Sequence, residues 1–269
     1  MINIPIFIIN LKHDAEKKAH MQELCDKYSL FPEFIEAVNG KLLSDDFIES
    51  IYSKEGSLDS IGRELSKGEI GCALSHKKIY QKMLDENIEK ALVLEDDIDF
   101  CESLLRYFSE ISNFPKRWEL VLLGHHSNRS RKELTPYSFW YKKILNNTCT
   151  LRRPCEISYG TYGYFINKQG AKRILNEIRK IILPIDHYTG NSKYINLYIS
   201  EKPIIMINHK LEVKSNLHLE REELKKSMVN KNKSLKRRMS EIFGVYYILR
   251  ESKVVIIRFI SKIKFINSY

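Results

Sequence analysis

Ala91-Leu92-Val93-Leu94 runs without a break into Glu95-Asp96-Asp97, and Pro5-Ile6-Phe7-Ile8-Ile9 is a second unbroken apolar run. Short runs of this kind are the pattern of strands covered on both faces, because an alternating strand would turn every other residue to water. A sheet of such strands needs helices to cover it. Asp14 is placed to cap a helix reaching Tyr28, with Ala15, Ala19, Met21 and Leu24 near helical spacing. Residues 67–87 carry a second helical stripe of Ile70, Leu74, Ile79, Met83 and Leu84. Further helices are expected over 103–111 and 168–182. Further strands are expected over 32–38, ended by the Asn39-Gly40 turn, and over 118–123, 159–166 and 204–207, with short helices and a loop across 41–66. Strands alternating with helices predict an α/β domain with a mainly parallel central sheet, whose ligands lie at the C-terminal ends of the strands. There is no GxGxxG and no Walker A sequence, so neither the usual dinucleotide site nor a P-loop is expected.

The 269 residues suit one large domain with an appendage, on a prior of roughly 150 residues per domain. With 43% hydrophobic and 29% charged residues the chain is not wholly disordered. No run of about 18 apolar residues offers a spanning helix. The apolar run at 4–9 lacks a basic flank and a small-residue cleavage site, and so reads as a strand rather than a signal peptide. The five cysteines, without CxxC spacing, read as reduced thiols. Charge is uneven. From Glu220 to Tyr269 there are 13 Lys/Arg against 5 Asp/Glu, which leaves only +2 of the +10 net charge for the rest. The expected division is therefore a domain over 1–215 and a basic, helical, amphipathic tail over 216–269. In that tail Val254, Ile256, Ile257, Phe259, Ile260 and Ile263 mix with Arg250, Lys253, Arg258, Lys262 and Lys264. The mixture is too charged to span a bilayer but suits the surface of an anionic membrane.

Four carboxylates, Glu95, Asp96, Asp97 and Asp99, close the Ala91–Leu94 run. Charges this close repel unless a cation neutralises them. Oxygen ligands favour Mg²⁺ or Mn²⁺, and such an ion offsets charge on a departing diphosphate. The plain alternative is a solvated acidic turn. Glu95-x-Asp97 and Asp97-x-Asp99 are both carboxylate pairs. Asp97 belongs to both, and Asp97 and Asp99 are the candidate metal ligands.

The ordered set Phe7–Leu11, Ala37-Val38-Asn39-Gly40, Gly68–His76, Leu94-Glu95-Asp96-Asp97, Gly160–Ile166 and Pro184-Ile185-Asp186 resembles glycosyltransferase family 25, the bacterial lipooligosaccharide galactosyltransferases related to collagen galactosyltransferases. The resemblance spans residues 4–208. It implies a GT-A-like nucleotide-sugar domain, a UDP-sugar donor (typically UDP-galactose) and an inverting transfer. A lipid-linked lipooligosaccharide or lipopolysaccharide glycan is the implied acceptor. The family commonly has Asp where this chain has Asn39, whose amide can still hydrogen-bond uracil or ribose. On this likeness the donor-binding residues are Asn10 and Leu11 past the first strand, Ala37, Asn39 and Gly40 past the second, and Ser75 and His76 beside the apolar stripe of their helix. Glu95 and Asp96, together with Gly160, Thr161 and Gly163, complete the set. Tyr162 and Tyr164 are candidates to stack on a sugar ring. Core packing is the alternative for both.

Asp97 and Asp186 are the candidate catalytic residues. An inverting transfer needs a base near the acceptor hydroxyl, and Asp186 is the candidate for it, with helix capping as the alternative. Glu69, His125 and His126 are other possible bases, and His209 is a further metal-ligand candidate. With the basic tail, the expected location is cytoplasmic, peripheral on the cytoplasmic face of the bacterial inner membrane. A competing reading is a basic interaction protein without catalysis, binding nucleic acid or a membrane. The chain has no RNA- or DNA-binding motif, and no nucleic-acid partner is expected.

Overall fold

In the computed structural model, which describes residues 4–127 and 133–212, strand β1 (Ile6–Asn10) buries all five of its residues. The expected tail over 216–269 lies outside the described residues. Helix α1 (Ala15–Lys27) follows, capped as expected by the Asp14 side chain accepting from the Lys17 N–H. Then come β2 (Pro32–Glu36), a 3-10 turn at Gly40–Leu42, α2 (Asp45–Ile51), α3 (Lys54–Ile61) and the long α4 (Lys67–Asp85). Helix α4 begins with a reciprocal cap between Ser66 and Glu69. After it run β3 (Lys90–Glu95), β4 (Ile98–Phe100), α5 (Ser103–Ser109), β5 (Leu120–Leu122), β6 (Tyr137–Ile144), β7 (Thr150–Pro154) and β8 (Gly163–Asn167). The order closes with α6 (Lys168–Glu177), α7 (Ile185–Thr189), β9 (Leu197–Ser200), β10 (Ile205–Ile207) and α8 (His209–Glu212).

Eight strands form one sheet in the order β2-β1-β3-β8-β5-β9-β7-β6, and β10 pairs with β4 in a two-stranded ribbon. Six of the eight strands share one direction, while β8 and β7 run against them. The sheet is therefore mainly parallel, as expected, with β8 and β7 as the two reversed strands. A fully buried apolar run has the same composition in either direction, so the reversal of β8 leaves no mark on it. The strand expected over 159–166 begins only at Gly163, and the helix expected over 168–182 ends at Glu177.

Both faces of the sheet are covered. Phe7, Ile9, Val93, Leu122 and Ile166 face Ile70, Ala73, Ile79 and Met83 of α4 and Ile174 of α6. Their sequence neighbours Ile6, Ile8, Leu92, Leu94, Val121 and Phe165 face Met21 and Cys25 of α1 and Leu104 and Phe108 of α5. The two-residue period of a strand thus sends alternate residues into two separate cores. It also fixes the site. The chain leaves β1 through α1 to pair β2 on one side, then passes along α4 on the other face to pair β3 on the other side. This change of direction opens a crevice above the C-terminal ends of β1, β2 and β3, the usual ligand position in open α/β sheets.

Candidate functional site

That crevice is a cleft lined by Ile9, Leu11, Lys17, Ala37, Val38, Asn39, Gly40, Lys41, Gly68, Cys72, Ser75, His76, Glu95, Asp96 and Asp97. Of the residues expected to bind the donor, the fold gathers Leu11, Ala37, Asn39, Gly40, Ser75, His76, Glu95 and Asp96 here, together with Asp97. Parallel pairing does this directly. The register sets Ile9 beside both Ile35 and Glu95, so the three strand ends rise side by side.

The wall formed by β2 and α4 depends on close backbone approach. A Cβ on Gly40 would lie 1.7 Å from the Lys67 carbonyl oxygen, so the 39–40 turn rests on the first turn of α4 through backbone alone. Ser75 Oγ binds across the same contact, accepting from the Val38 N–H at 2.8 Å and donating to the Gly71 carbonyl at 2.7 Å. Ser75 therefore fixes the shape of the wall. The Asn39 side chain accepts from the Lys41 N–H, closing its own turn.

The acidic turn is built around a buried lysine. Lys17, on the first turn of α1, places Nζ 3.2 Å from Asp96 Oδ1 and 3.2 Å from Asp97 Oδ2. Burial works to lower the Lys17 pKa, but Asp97 and Asp96 outweigh it and the pKa is raised. Asp96 is itself buried, and its second oxygen accepts from Asn10 Nδ2 at 2.8 Å. Asn10 also donates to the Asp14 carbonyl. It stands behind the turn as a brace rather than on the cleft surface. Burial raises the Asp96 pKa, with Lys17 and Asn10 opposing. Asp97 is pushed up to about 6 by burial and then by the neighbouring Glu95 charge, with Lys17 only partly compensating. Asp96 and Asp97 thus share one ammonium, with the Glu95 charge beside Asp97. Asp99 is engaged elsewhere: its Oδ1 is 3.2 Å from His20 Nε2 and accepts from Asn208 Nδ2 at 3.3 Å. Of the two pairs open in the sequence, the fold brings Glu95 and Asp97 into the cleft, and not Asp99.

Gly160, Thr161 and Gly163 do not line this cleft. Gly160 has φ +114°, a conformation that favours glycine, and a Cβ there would meet the Tyr162 ring at 2.6 Å. Thr161 Oγ1 is 2.8 Å from Thr189 Oγ1 on α7, and Ile205 packs directly over Gly163. Tyr164 corrects the sugar-stacking expectation. It is fully buried between the sheet and α4, with Oη 2.8 Å from His76 Nδ1 and 2.6 Å from Tyr80 Oη. His76, expected beside the apolar stripe, is likewise fully buried within it. Tyr80 and Tyr164 escape a reading by hydrophobic stripe because their hydroxyls are satisfied by partners more than 80 residues away in sequence.

Asp186 lies in the first turn of α7, outside the cleft. It is half-buried, with Oδ1 buried and without a hydrogen-bond partner. Its charge raises the pKa of Arg63 after the larger effect of Glu69, and that of Tyr159 after burial. Burial lowers the His187 pKa although Asp186 opposes it. Two of the alternative bases are committed to structure. Glu69 accepts both guanidinium nitrogens of Arg63 at 2.7 Å as well as the Ser66 N–H. His125 is buried with Nε2 2.8 Å from the Ser200 carbonyl, and burial pushes its pKa down to about 4. His126 lies partly buried against Tyr159, ring centroids 5.9 Å apart. His209 is exposed at the start of α8.

The profile of glycosyltransferase family 25, described as LPS biosynthesis protein, matches residues 3–189. The chain belongs to glycosyltransferase family 25. All three strand ends, α4 and the acidic turn fall within the matched residues. A glycosyltransferase 25 family member of Aedes aegypti is 35% identical over 191 residues, covering 68% of this chain and 30% of that protein. Procollagen galactosyltransferase 2 of Homo sapiens is 29% identical over 192 residues, covering 68% of this chain and 29% of that protein. The chain thus spans about 30% of the length of the curated relatives it matches. A solved glycosyltransferase involved in glycosylation of the major capsid of PBCV-1 aligns with TM-score 0.30 and 13% identity, covering 65% of this chain and 64% of that one. So loose a likeness supports no argument, and none rests on it.

Proposed function

We propose that the cleft above β1, β2 and β3 binds a UDP-sugar, and that the chain transfers the sugar with inversion to a hydroxyl of a glycan. The observation that carries this reading is the acidic turn in that cleft, where Asp96 and Asp97 share the ammonium of Lys17 and Glu95 adds a third carboxylate. The turn has charge to spare for a cation, and it lies where a nucleotide diphosphate sits in folds of this class. Galactose is the proposed sugar, since relatives are named as galactosyltransferases. A lipid-linked lipopolysaccharide-type glycan is the proposed acceptor, in line with the family description.

Mn²⁺ or Mg²⁺ fits this turn. Asp97, with its pKa near 6, and Glu95 beside it offer hard oxygen donors whose repulsion a divalent cation relieves. Bound there, the cation supplies charge compensation for the leaving diphosphate. The chain's own residues do the rest. Lys17 and Asn10 hold Asp96, and through it the turn, in place. Leu11 and the 37–40 turn flank the position of the nucleoside. Asp186 takes the acceptor proton.

The basic segment over 216–269 holds the protein on an anionic membrane, at the cytoplasmic face of the inner membrane, where such acceptors are built. Equal binding of the full chain and of a chain ending near residue 215 to anionic liposomes would overturn that part. The main reading is tested by thermal melts with UDP, with and without Mn²⁺, and by UDP-galactose turnover. UDP with Mn²⁺ raises Tm and UDP-galactose is consumed if the reading is right. No shift and no turnover of any UDP-hexose would sink it.

A further inference from the structure

A second set of donors lies in the same cleft. Cys72 and His76 sit four residues apart on α4, so their side chains leave the same helix face one turn apart. Glu95, at the end of β3, reaches toward them. One ligand atom from each, a sulfur, a ring nitrogen and a carboxylate oxygen, lies within 4.8 Å of the other two, the one such group among the described residues. The imidazole explains little of itself as a packed core residue. It is fully buried, its Nδ1 is bonded to Tyr164, and its Nε2 has no hydrogen-bond partner. The nearest carboxylate oxygen, Glu95 Oε1, is 3.6 Å away. A buried polar atom left without a hydrogen-bond partner is costly, and this one lies beside a carboxylate oxygen, which calls for a ligand.

We propose that Cys72, His76 and Glu95 form a site for a zinc-class divalent cation in the wall of the cleft. One thiolate, one imidazole and one carboxylate are the donor set of a borderline-soft ion, unlike the all-oxygen set around Asp97. The spacing is close to what coordination requires. Ligand arms of about 2.0 Å around a tetrahedral ion put nitrogen and oxygen roughly 3.3 Å apart, a few tenths of an ångström from the 3.6 Å between His76 and Glu95. When Nδ1 donates to Tyr164 Oη, which in turn donates to Tyr80, Nε2 is left with its lone pair toward the metal position. This is the outer-shell bond by which proteins fix the tautomer of a ligating histidine. Binding releases the Cys72 thiol proton to solvent. Three protein ligands leave a fourth position, and because all three residues line the cleft, that position opens into it for water or an oxyanion. The proposal shares Glu95 with the reading of the cleft as a UDP-sugar site but does not rest on that reading.

Chelator-treated full-length protein is titrated with Co²⁺, a spectroscopic stand-in for Zn²⁺. The expected result is one equivalent of a near-ultraviolet thiolate-to-cobalt charge-transfer band with intense tetrahedral d–d bands, both removed by one equivalent of Zn²⁺. Cys72→Ser should lose the charge-transfer band, and Glu95→Gln should weaken Co²⁺ binding by about tenfold or more. Cys101→Ser, at an exposed cysteine away from the cleft, should leave the band intact. Zn²⁺ should also protect Cys72 from alkylation in the unaltered chain, which keeps the test independent of any variant's folding. No thiolate band, a band that survives Cys72→Ser, unchanged affinity in Glu95→Gln, or alkylation of Cys72 unaffected by Zn²⁺ would each overturn the site. UDP binding measured on the same samples separates this outcome from failure of the donor-site reading.

Discussion

Lys17 Nζ stands 3.2 Å from Asp97 Oδ2 and so ties the first turn of α1 to the turn that ends β3. The lysine is buried and holds Asp96 as well, so removing it leaves a buried carboxylate without its counter-charge. Breaking one partner of a buried pair costs about 3–5 kcal/mol. Lys17→Met should lower stability to urea by about 3 kcal/mol, and Lys17→Arg by less. A divalent cation can replace part of the lost charge, so Mn²⁺ should restore more stability to Lys17→Met than it adds to the unaltered chain. An equal Mn²⁺ effect on both proteins would show that the metal does not meet this turn.

Asp97 and Asp99 are two residues apart in sequence but keep different company. Asp97 faces the cleft, whereas Asp99 is about half-exposed and paired with His20 and Asn208. Asp97→Asn should remove nearly all Mn²⁺-dependent UDP affinity and turnover, with the fold intact. Asp99→Asn should cost little of either. Calorimetric titration of UDP with and without Mn²⁺ decides it, and the reverse order of severity would move the ligand pair to Asp97 and Asp99.

The sequence made the site legible where local rules decide the structure. Unbroken apolar runs marked β1 and β3, Asp14 marked the start of α1, and the Asn39-Gly40 signal marked the turn that lies on α4. The hidden parts depend on distant partners. Strand β6 is largely exposed at the sheet edge and carries no steady alternation, and β9 is only four residues long. Neither offers a period to count. His76 and Tyr164 were open to a surface role because nothing local reveals that each satisfies the other across 88 residues. Asn10 is the last residue of β1 rather than a residue past it, and its bond to Asp96 arises only from the parallel pairing of β1 with β3.

His125 supplies a pH dependence separate from the acidic turn. Burial lowers its pKa from 6.5 to about 4, so in the window between those values the unfolded chain binds a proton that the folded chain refuses. Stability is therefore full above about pH 6.5 and declines as pH falls toward 4. At about 1.4 kcal/mol per unit, the loss approaches roughly 3 kcal/mol. His125→Gln can still donate to the Ser200 carbonyl but cannot titrate. Urea midpoints of the two proteins should diverge less at pH 5 than at pH 7, the unaltered chain losing more on acidification. Parallel pH profiles would remove His125 as the cause.

The base is the last open role, and the fold narrows it. Glu69 is held by Arg63 and by the start of α4, and His125 is held by Ser200, so neither is placed to accept a proton from a substrate. Asp186 differs from both, because its Oδ1 has no hydrogen-bond partner and its segment lies outside the wall that carries the acidic turn. The inverting transfer proposed for this chain requires that separation, since the acceptor hydroxyl would attack from the face opposite the departing nucleotide. If Asp186 is the base, Asp186→Asn should lower kcat by about a hundredfold or more and leave UDP-sugar affinity near normal. Weakened donor binding with kcat intact would instead make Asp186 a binding residue and pass the base role to His126.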